Sequence, residues 1–259
     1  MKLLHANVLG DSGWPLIILH GFLGSGDNWK TLGKRFAFLG YQVHILDQRN
    51  HGKSFHDSLF NYDALADDIN AYCVYHKLQK ISILGHSMGG KVAMTFSLKY
   101  PELLKQLIVA DIAPRYYPAH HDTILKGLKA IDFDQISSRQ EADIALSAYV
   151  PEATTRQFLL KNLHWVDSSK LGWRMNLKVL SDNIERIGEA LPANSPVNCP
   201  SLFLRGSKSN YIGSDDELWI HKQFKNTAIQ EIKNAGHWLH AENPNDFFDA
   251  VSLFLLKNK

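Results

Sequence analysis

Cysteine is nearly absent: Cys73 and Cys199 are the only two in 259 residues. Two thiols cannot staple a chain of this length, so a disulfide scaffold is excluded and a reducing, cytoplasmic setting is predicted. Long hydrophobic runs are also missing. A membrane span needs about 20 apolar residues and a secretory core about 7–15, and no stretch supplies either, so no membrane insertion is expected. Charge of one sign is lacking too, since 28 basic and 26 acidic residues leave a formal net charge of +2. That balance gives no electrostatic footprint for nucleic acid or an anionic surface. Oligomeric state leaves no mark in the sequence.

What is present is an alternation of short apolar runs with helical periods, the pattern of a mostly parallel sheet with crossover helices. Strands are expected at 15–21, Tyr41–Asp47, Ile81–Leu84, Gln106–Ala110, Ser201–Leu204 and Ala228–Ile232. Helices are expected at Asp27–Leu39, Asn61–His76, Met88–Lys99 and Pro244–Leu256. The strands read as continuous rather than alternating apolar runs, as a sheet covered on both faces demands. From 115 to about 195 the rhythm breaks into helix-like patterns such as Arg174–Leu191, with no convincing strand. The predicted organisation is α/β: a core of residues 1–114 and 196–259, with a helical cap, 115–195, inserted between two late strands. The cap brings Tyr116, Tyr117, Phe158, Leu159, Trp165 and Trp173.

Chemistry concentrates in Gly85-His86-Ser87-Met88-Gly89-Gly90. Gly-x-Ser-x-Gly between an apolar strand and a helix is the nucleophile-elbow pattern, in which a sharp turn exposes a serine beside a helix N-terminus. A hydroxyl attacks a carbonyl only when a base removes its proton and donors hold the oxyanion. The backbone N–H of Met88 is one expected donor, and that of Phe22, in His20-Gly21-Phe22-Leu23-Gly24, is the other. The base should follow late in the chain, where Ala235-Gly236-His237-Trp238-Leu239-His240 offers His237; His240 reads instead as a capping or packing residue. A His-x-x-His metal pair finds no carboxylate or thiolate cluster to complete it, so no metal is expected.

The acid is less direct. In many proteins built on this plan an aspartate follows the strand at 201–204, but Gly206-Ser207-Lys208-Ser209 puts a serine there. A hydroxyl cannot offset an imidazolium charge as a carboxylate does. Asp111, at the carboxyl end of the preceding core strand, is the leading candidate, because sites on such sheets form at that edge. Asp215 and Asp216 are alternatives if the 206–214 loop folds back. The run Asp47-Gln48-Arg49-Asn50-His51-Gly52-Lys53-Ser54 reads as a hydrogen-bonded turn bracing the site, Cys73 as helix packing and Cys199 as a loop thiol.

Taken together, the segments at 20–25, 47–54, 85–90, 111–114 and 235–238 resemble the YbfF-type esterases of the α/β-hydrolase superfamily. The similarity spans residues 20 to 238 and is weakest in the insertion. It implies hydrolysis of short acyl esters and acyl-CoA thioesters without metal or organic cofactor, and it implies the acid on the earlier strand, at Asp111. The expected function is therefore a serine hydrolase with Ser87, Asp111 and His237 as catalytic residues, acting through an acyl-enzyme on a small acyl ester or thioester. A non-hydrolytic receptor, a lyase or a C–C hydrolase on the same scaffold are the alternatives.

Overall fold

The computed structural model describes residues 2–119, 121–192 and 196–258. Nine strands occur among them: β1 (Ala6–Leu9), β2 (Trp14–Leu19), β3 (Tyr41–Leu46), β4 (Ile81–His86), β5 (Leu104–Ala110), β6 (Leu163–Trp165), β7 (Leu171–Trp173), β8 (Ser201–Gly206) and β9 (Thr227–Ile232). Seven form one sheet in the order β1-β3-β2-β4-β5-β8-β9. Every pair in it is parallel except β1 on β3. The chain thus has the α/β hydrolase fold, a mostly parallel sheet flanked by helices.

The side-chain period of a strand is two, so neighbouring residues enter different cores. Leu16 and Ile18 of β2 pack on one face with Phe36, Phe247 and Leu255, from the helices Lys30–Phe38 and Pro244–Lys257. Ile17 and Leu19 pack on the other face with Leu65, Ile69 and Val92, from the helices Tyr62–Tyr75 and Met88–Lys99. Burial on both faces explains why β4 is buried at all six positions and reads as one apolar run. Helix starts follow the polar caps: Asn61 accepts from the Ala64 N–H and Asn243 from the Asp246 N–H, each satisfying an orphan first-turn donor.

Three features depart from the sequence expectation. β1 is an added antiparallel edge strand of four residues. The segment between β5 and β8 is not purely helical, because β6 and β7 pair as an antiparallel two-stranded sheet with Leu163 opposite Trp173. The pattern at 174–191 resolves into two short helices, Leu177–Asp182 and Ile184–Ile187, parted at Asn183. The other helices of this segment are Asp122–Ala130, Arg139–Ser147 and Ala153–Leu160. The expected end of the insertion, at 195, lies outside the described residues, as does His120. Among the described residues no helix is long and apolar enough to cross a membrane.

Candidate active site

The central strands β2, β4 and β5 deliver their carboxyl ends to one edge, where the loops at 20–24, 86–88 and 111–114 meet the loop before residue 237. Ser87 stands between β4 and the helix Met88–Lys99 with φ 53° and ψ −119°, a conformation disfavoured for any residue with a Cβ. Two glycines permit it. A Cβ at Gly85 would press into the Gly89 carbonyl, and one at Gly89 would meet the Leu19 carbonyl oxygen at 2.5 Å. The elbow spacing is therefore a packing requirement as well as a motif.

Ser87 Oγ lies 2.9 Å from His237 Nε2, and His237 Nδ1 lies 2.8 Å from Asp111 Oδ2. A carboxylate only accepts, so Nδ1 carries the proton and Nε2 is left to accept from the serine hydroxyl. Asp111 is fully buried and itself turns with φ 54°, just past the end of β5. Its Oδ1 accepts the Gly206 N–H at 3.0 Å, and its Oδ2 also accepts the Ser209 hydroxyl. The three predicted side chains are thus brought together in one hydrogen-bonded line. The alternatives lie elsewhere. Asp216 is ion-paired with Arg115 at 2.7 Å and accepts the Gly213 N–H, while Asp215 is exposed in the first turn of the helix Ser214–Gln223.

Phe22 and Met88 line a cleft with Ser87. Among the described residues neither backbone N–H donates to another protein atom, so both are free to meet an oxyanion. The run 47–54 supplies the bracing behind them. The Gln48 N–H donates to His20 Nε2 at 3.1 Å, which leaves His20 Nδ1–H to donate to the Gly21 carbonyl at 2.8 Å. The Leu23 N–H donates to His51 Nε2 at 3.3 Å. Asp47 accepts the Gly26 and Lys53 N–H groups at 2.7 and 2.9 Å, and Arg49 forks onto Asp68 at 2.6 and 2.8 Å.

Burial sets the protonation of the surrounding histidines. It lowers His20 and His86, and it pulls His51 and His240 down to about 3, so all four are neutral near pH 7. His86 Nε2–H donates to the His237 carbonyl at 2.8 Å. His240 packs instead of reacting, stacked on Trp29 at 4.2 Å. The thiols are equally quiet: burial pushes Cys73 up to about 12 and raises Cys199, and neither is in a disulfide. Among the described residues no group of three His, Cys, Asp or Glu side chains could hold a metal ion.

Sequence reasoning missed three contributors. Tyr211 lays its ring on His237 at 3.8 Å and 14°. Tyr117 accepts the Ala113 N–H at 2.8 Å and donates to the Tyr211 carbonyl, joining the loops on either side of the acid. Lys91, 1% exposed, donates to the carbonyls of Arg115, at 2.8 Å, Gly188, at 3.0 Å, and Glu189, and burial pulls its pKa down to about 7. A charged residue one turn into a helix buried from Met88 to Ser97 was the available signal for Lys91; the tyrosines left none.

An elbow serine, a late histidine and amides free for an oxyanion on this sheet define a class, and the comparisons agree. Residues 15–138 match the α/β hydrolase fold family. The chain belongs to the α/β hydrolase family and is a hydrolase enzyme. It is 38% identical to an sn-1-specific diacylglycerol lipase of Danio rerio, over 95% of this chain and 79% of that one. It is 32% identical to Esterase YbfF of Escherichia coli (strain K12), over 93% of this chain and 92% of that one. Among solved structures, a marine microorganism esterase matches with a TM-score of 0.95 and 38% identity, covering 98% of this chain and 100% of that one.

Proposed function

We propose that the protein hydrolyses carboxylic esters of short acyl chains through a covalent acyl-enzyme on Ser87. The observation that carries this reading is the line Ser87 Oγ, His237 Nε2, His237 Nδ1, Asp111 Oδ2, with steps of 2.9 and 2.8 Å. In it, His237 takes the Ser87 proton as the oxygen attacks the acyl carbonyl. The N–H groups of Phe22 and Met88 hold the tetrahedral oxyanion. His237 then gives the proton to the leaving alkoxide, and Asp111 offsets the imidazolium charge throughout. Water, deprotonated by His237, attacks the acyl-enzyme in the second half. A thioester passes through the same steps with a thiolate as leaving group, so acyl-CoA thioesters belong to the proposed range. The lipase and esterase relatives support an ester as the substrate.

A cavity of about 230 Å³ beside Ser87 is lined by Leu23 and Trp238 from the sheet-edge loops and by Ile124, Phe158 and Leu159 from the inserted segment. Its size lies below the range of about 300–1,000 Å³ usual for ligand pockets, which favours a short acyl group. We read residues 115–195 as a cap on the core formed by 1–114 and 196–259, because it supplies one wall of this cavity. The two unpaired cysteines support a cytoplasmic location.

The test is Ser87→Ala assayed on p-nitrophenyl acetate. The expected loss is roughly 10⁴–10⁶ in kcat with the thermal midpoint retained. Wild-type turnover by a folded Ser87→Ala variant would overturn the reading. A graded panel of p-nitrophenyl esters and acyl-CoAs then fixes chain length and leaving group.

A further inference from the structure

Charge is balanced over the whole chain but not along the seam between the core and the inserted segment. Lys53 from the core and Arg139, Lys161 and Arg174 from the segment line one cleft of about 320 Å³, a volume within the range usual for small-molecule sites. Among the described residues none of these four charged groups has an ion-pair or hydrogen-bond partner. Four arginines elsewhere are paired: Arg49 with Asp68, Arg115 with Asp216, Arg156 with Asp143 and Arg205 with Glu217, at 2.6 to 2.8 Å. The two acids of the cleft are already engaged. Asp27 pairs with Lys30 at 2.7 Å, and Asp47 is turned onto the Gly26 and Lys53 N–H groups and His5. Like charges gathered without an acid partner repel one another, and a bound anion removes that cost.

A second observation points to a ligand. Ser25 lines the same cleft, is 7% exposed, and finds no acceptor for its hydroxyl proton among the described residues. A buried donor normally has an acceptor, so this one is left for a group that enters the cleft. Arg139 also opens the helix Arg139–Ser147, at the end where backbone N–H groups favour an anion. We infer that the cleft binds the phosphate or diphosphate group of a soluble small molecule. A single carboxylate would leave most of the four cations uncompensated, whereas one phosphate group carries about two charges and three acceptor oxygens. The two guanidinium forks suit paired oxygens, the lysines act as point charges, and Ser25 adds a neutral donor. Ser87, Asp111 and His237 do not line the cleft, so the inference does not use their roles. It still bears on the cavity beside Ser87. An anion that ties Lys53 to Arg139, Lys161 and Arg174 fastens to the core the segment that carries Phe158 and Leu159 of the cavity wall.

The experiment titrates pyrophosphate, at constant ionic strength, into four proteins by calorimetry, with thermal midpoints recorded. They are the wild type, Ser87→Ala, the cleft variant Lys161→Ala/Arg174→Ala, and the control Lys126→Ala/Lys225→Ala, whose lysines do not line the cleft. Wild type, Ser87→Ala and the control should bind pyrophosphate alike and melt at higher temperature when it is present. The cleft variant should bind roughly 100-fold more weakly, about tenfold for each charged contact removed. Without pyrophosphate it should melt no lower than wild type, because it has shed repulsion rather than a tie. No saturable binding to the wild type, equal affinity in the cleft variant, or a cleft variant that melts well below wild type without ligand would overturn the inference. Binding to phosphatidic acid vesicles with none to pyrophosphate would place the phosphate on a lipid surface and overturn the soluble source. None of these outcomes touches the ester reading, which stands or falls with the turnover of Ser87→Ala.

Discussion

The loops at the carboxyl edge of the sheet and the segment between β5 and β8 lie on opposite sides of one cavity and are built differently. At the sheet edge the polar side chains are multiply engaged: Asp47, Asp111, His20 and His51 each hold two or more partners, and the strands beneath are buried on both faces. The inserted segment carries exposed Tyr116, Ile144, Trp165 and Val166, and its polar ties to the core are scattered single contacts, among them Asn176 with Asn50, Arg115 with Asp216 and Tyr117 with Ala113 and Tyr211. The Lys91 ammonium holds three of its carbonyls, Tyr62 donates to the Ile187 carbonyl at 2.6 Å, and Asn162 donates to the Leu23 carbonyl at 2.7 Å. The difference teaches where change is cheap. Side chains that would move protons sit in a lattice that tolerates little, while side chains that would choose the acyl group stand on a segment fastened by scattered contacts away from the reacting atoms.

That contrast can be broken at either side, and the largest effect belongs to the sheet edge. Asp111→Asn keeps the shape but removes the acceptor charge and lets His237 take the wrong tautomer; kcat on p-nitrophenyl acetate should fall roughly 10⁴-fold with the fold intact. A loss below tenfold would place the acid elsewhere. Next is the fastening itself. Lys91→Met leaves the carbonyls of residues 115 and 189 without their donor, while that of Gly188 keeps the Tyr117 N–H, so stability should fall by about 2–4 kcal/mol in urea titration. Its kcat should change far less than that of Asp111→Asn. An unchanged unfolding midpoint would mean that the segment's other contacts hold it without Lys91.

Comparable in size is an acid sensitivity housed in the sheet-edge lattice. His51 and His240 have folded values near 3 against about 6.5 when unfolded. Below pH 6.5 the unfolded chain binds protons that the folded one refuses, so stability is lost as pH falls from 6.5 toward 3. The slope is about 1.4 kcal/mol per pH unit for each histidine. Urea titrations at pH 7 and pH 5 should show this loss, and His240→Phe should make it shallower; a parallel pH dependence in that variant would contradict the assignment. The smallest effect belongs to the inserted segment. Phe158→Ala removes a ring packed 5.7 Å from Trp238 in the cavity wall. It should shift kcat/KM toward longer acyl esters by about 3–10-fold, the worth of a methylene or two, and leave the rate on acetate nearly unchanged. No change across the ester series would place the acyl group in another cleft.

The sequence was most legible where two independent patterns coincide. Gly85 and Gly89 flank Ser87 for steric reasons, and the apolar run of β4 ends where the turn must begin, so elbow, strand and helix are read together. The helix Met88–Lys99 falls on its expected bounds for the same reason. Asp111 was legible through its place at the end of β5 and through the serine at 209. Elements too short to have a period were not: β6 and β7 span three residues each, and β1 four half-exposed ones. The pattern at 174–191 looked continuous because an apolar period carries across Asn183, whereas the backbone breaks there into two helices. Ser209 was noticed only as a missing acid, since a hydroxyl's partner depends on loop geometry that no spacing encodes. Lys91 and Tyr211 act through tertiary contacts with residues about 24 to 98 positions away for Lys91 and 26 for Tyr211 and His237.

The central claim is that Ser87 is the attacking group. Its most direct measurement is peptide mass mapping after an alkyl fluorophosphonate has inactivated the enzyme, with residual esterase activity followed in the same sample. The account predicts one adduct, on the peptide carrying Ser87, that grows in step with the loss of activity and is absent from Ser87→Ala. Complete inactivation with Ser87 unmodified, or with the adduct on another residue, would contradict it.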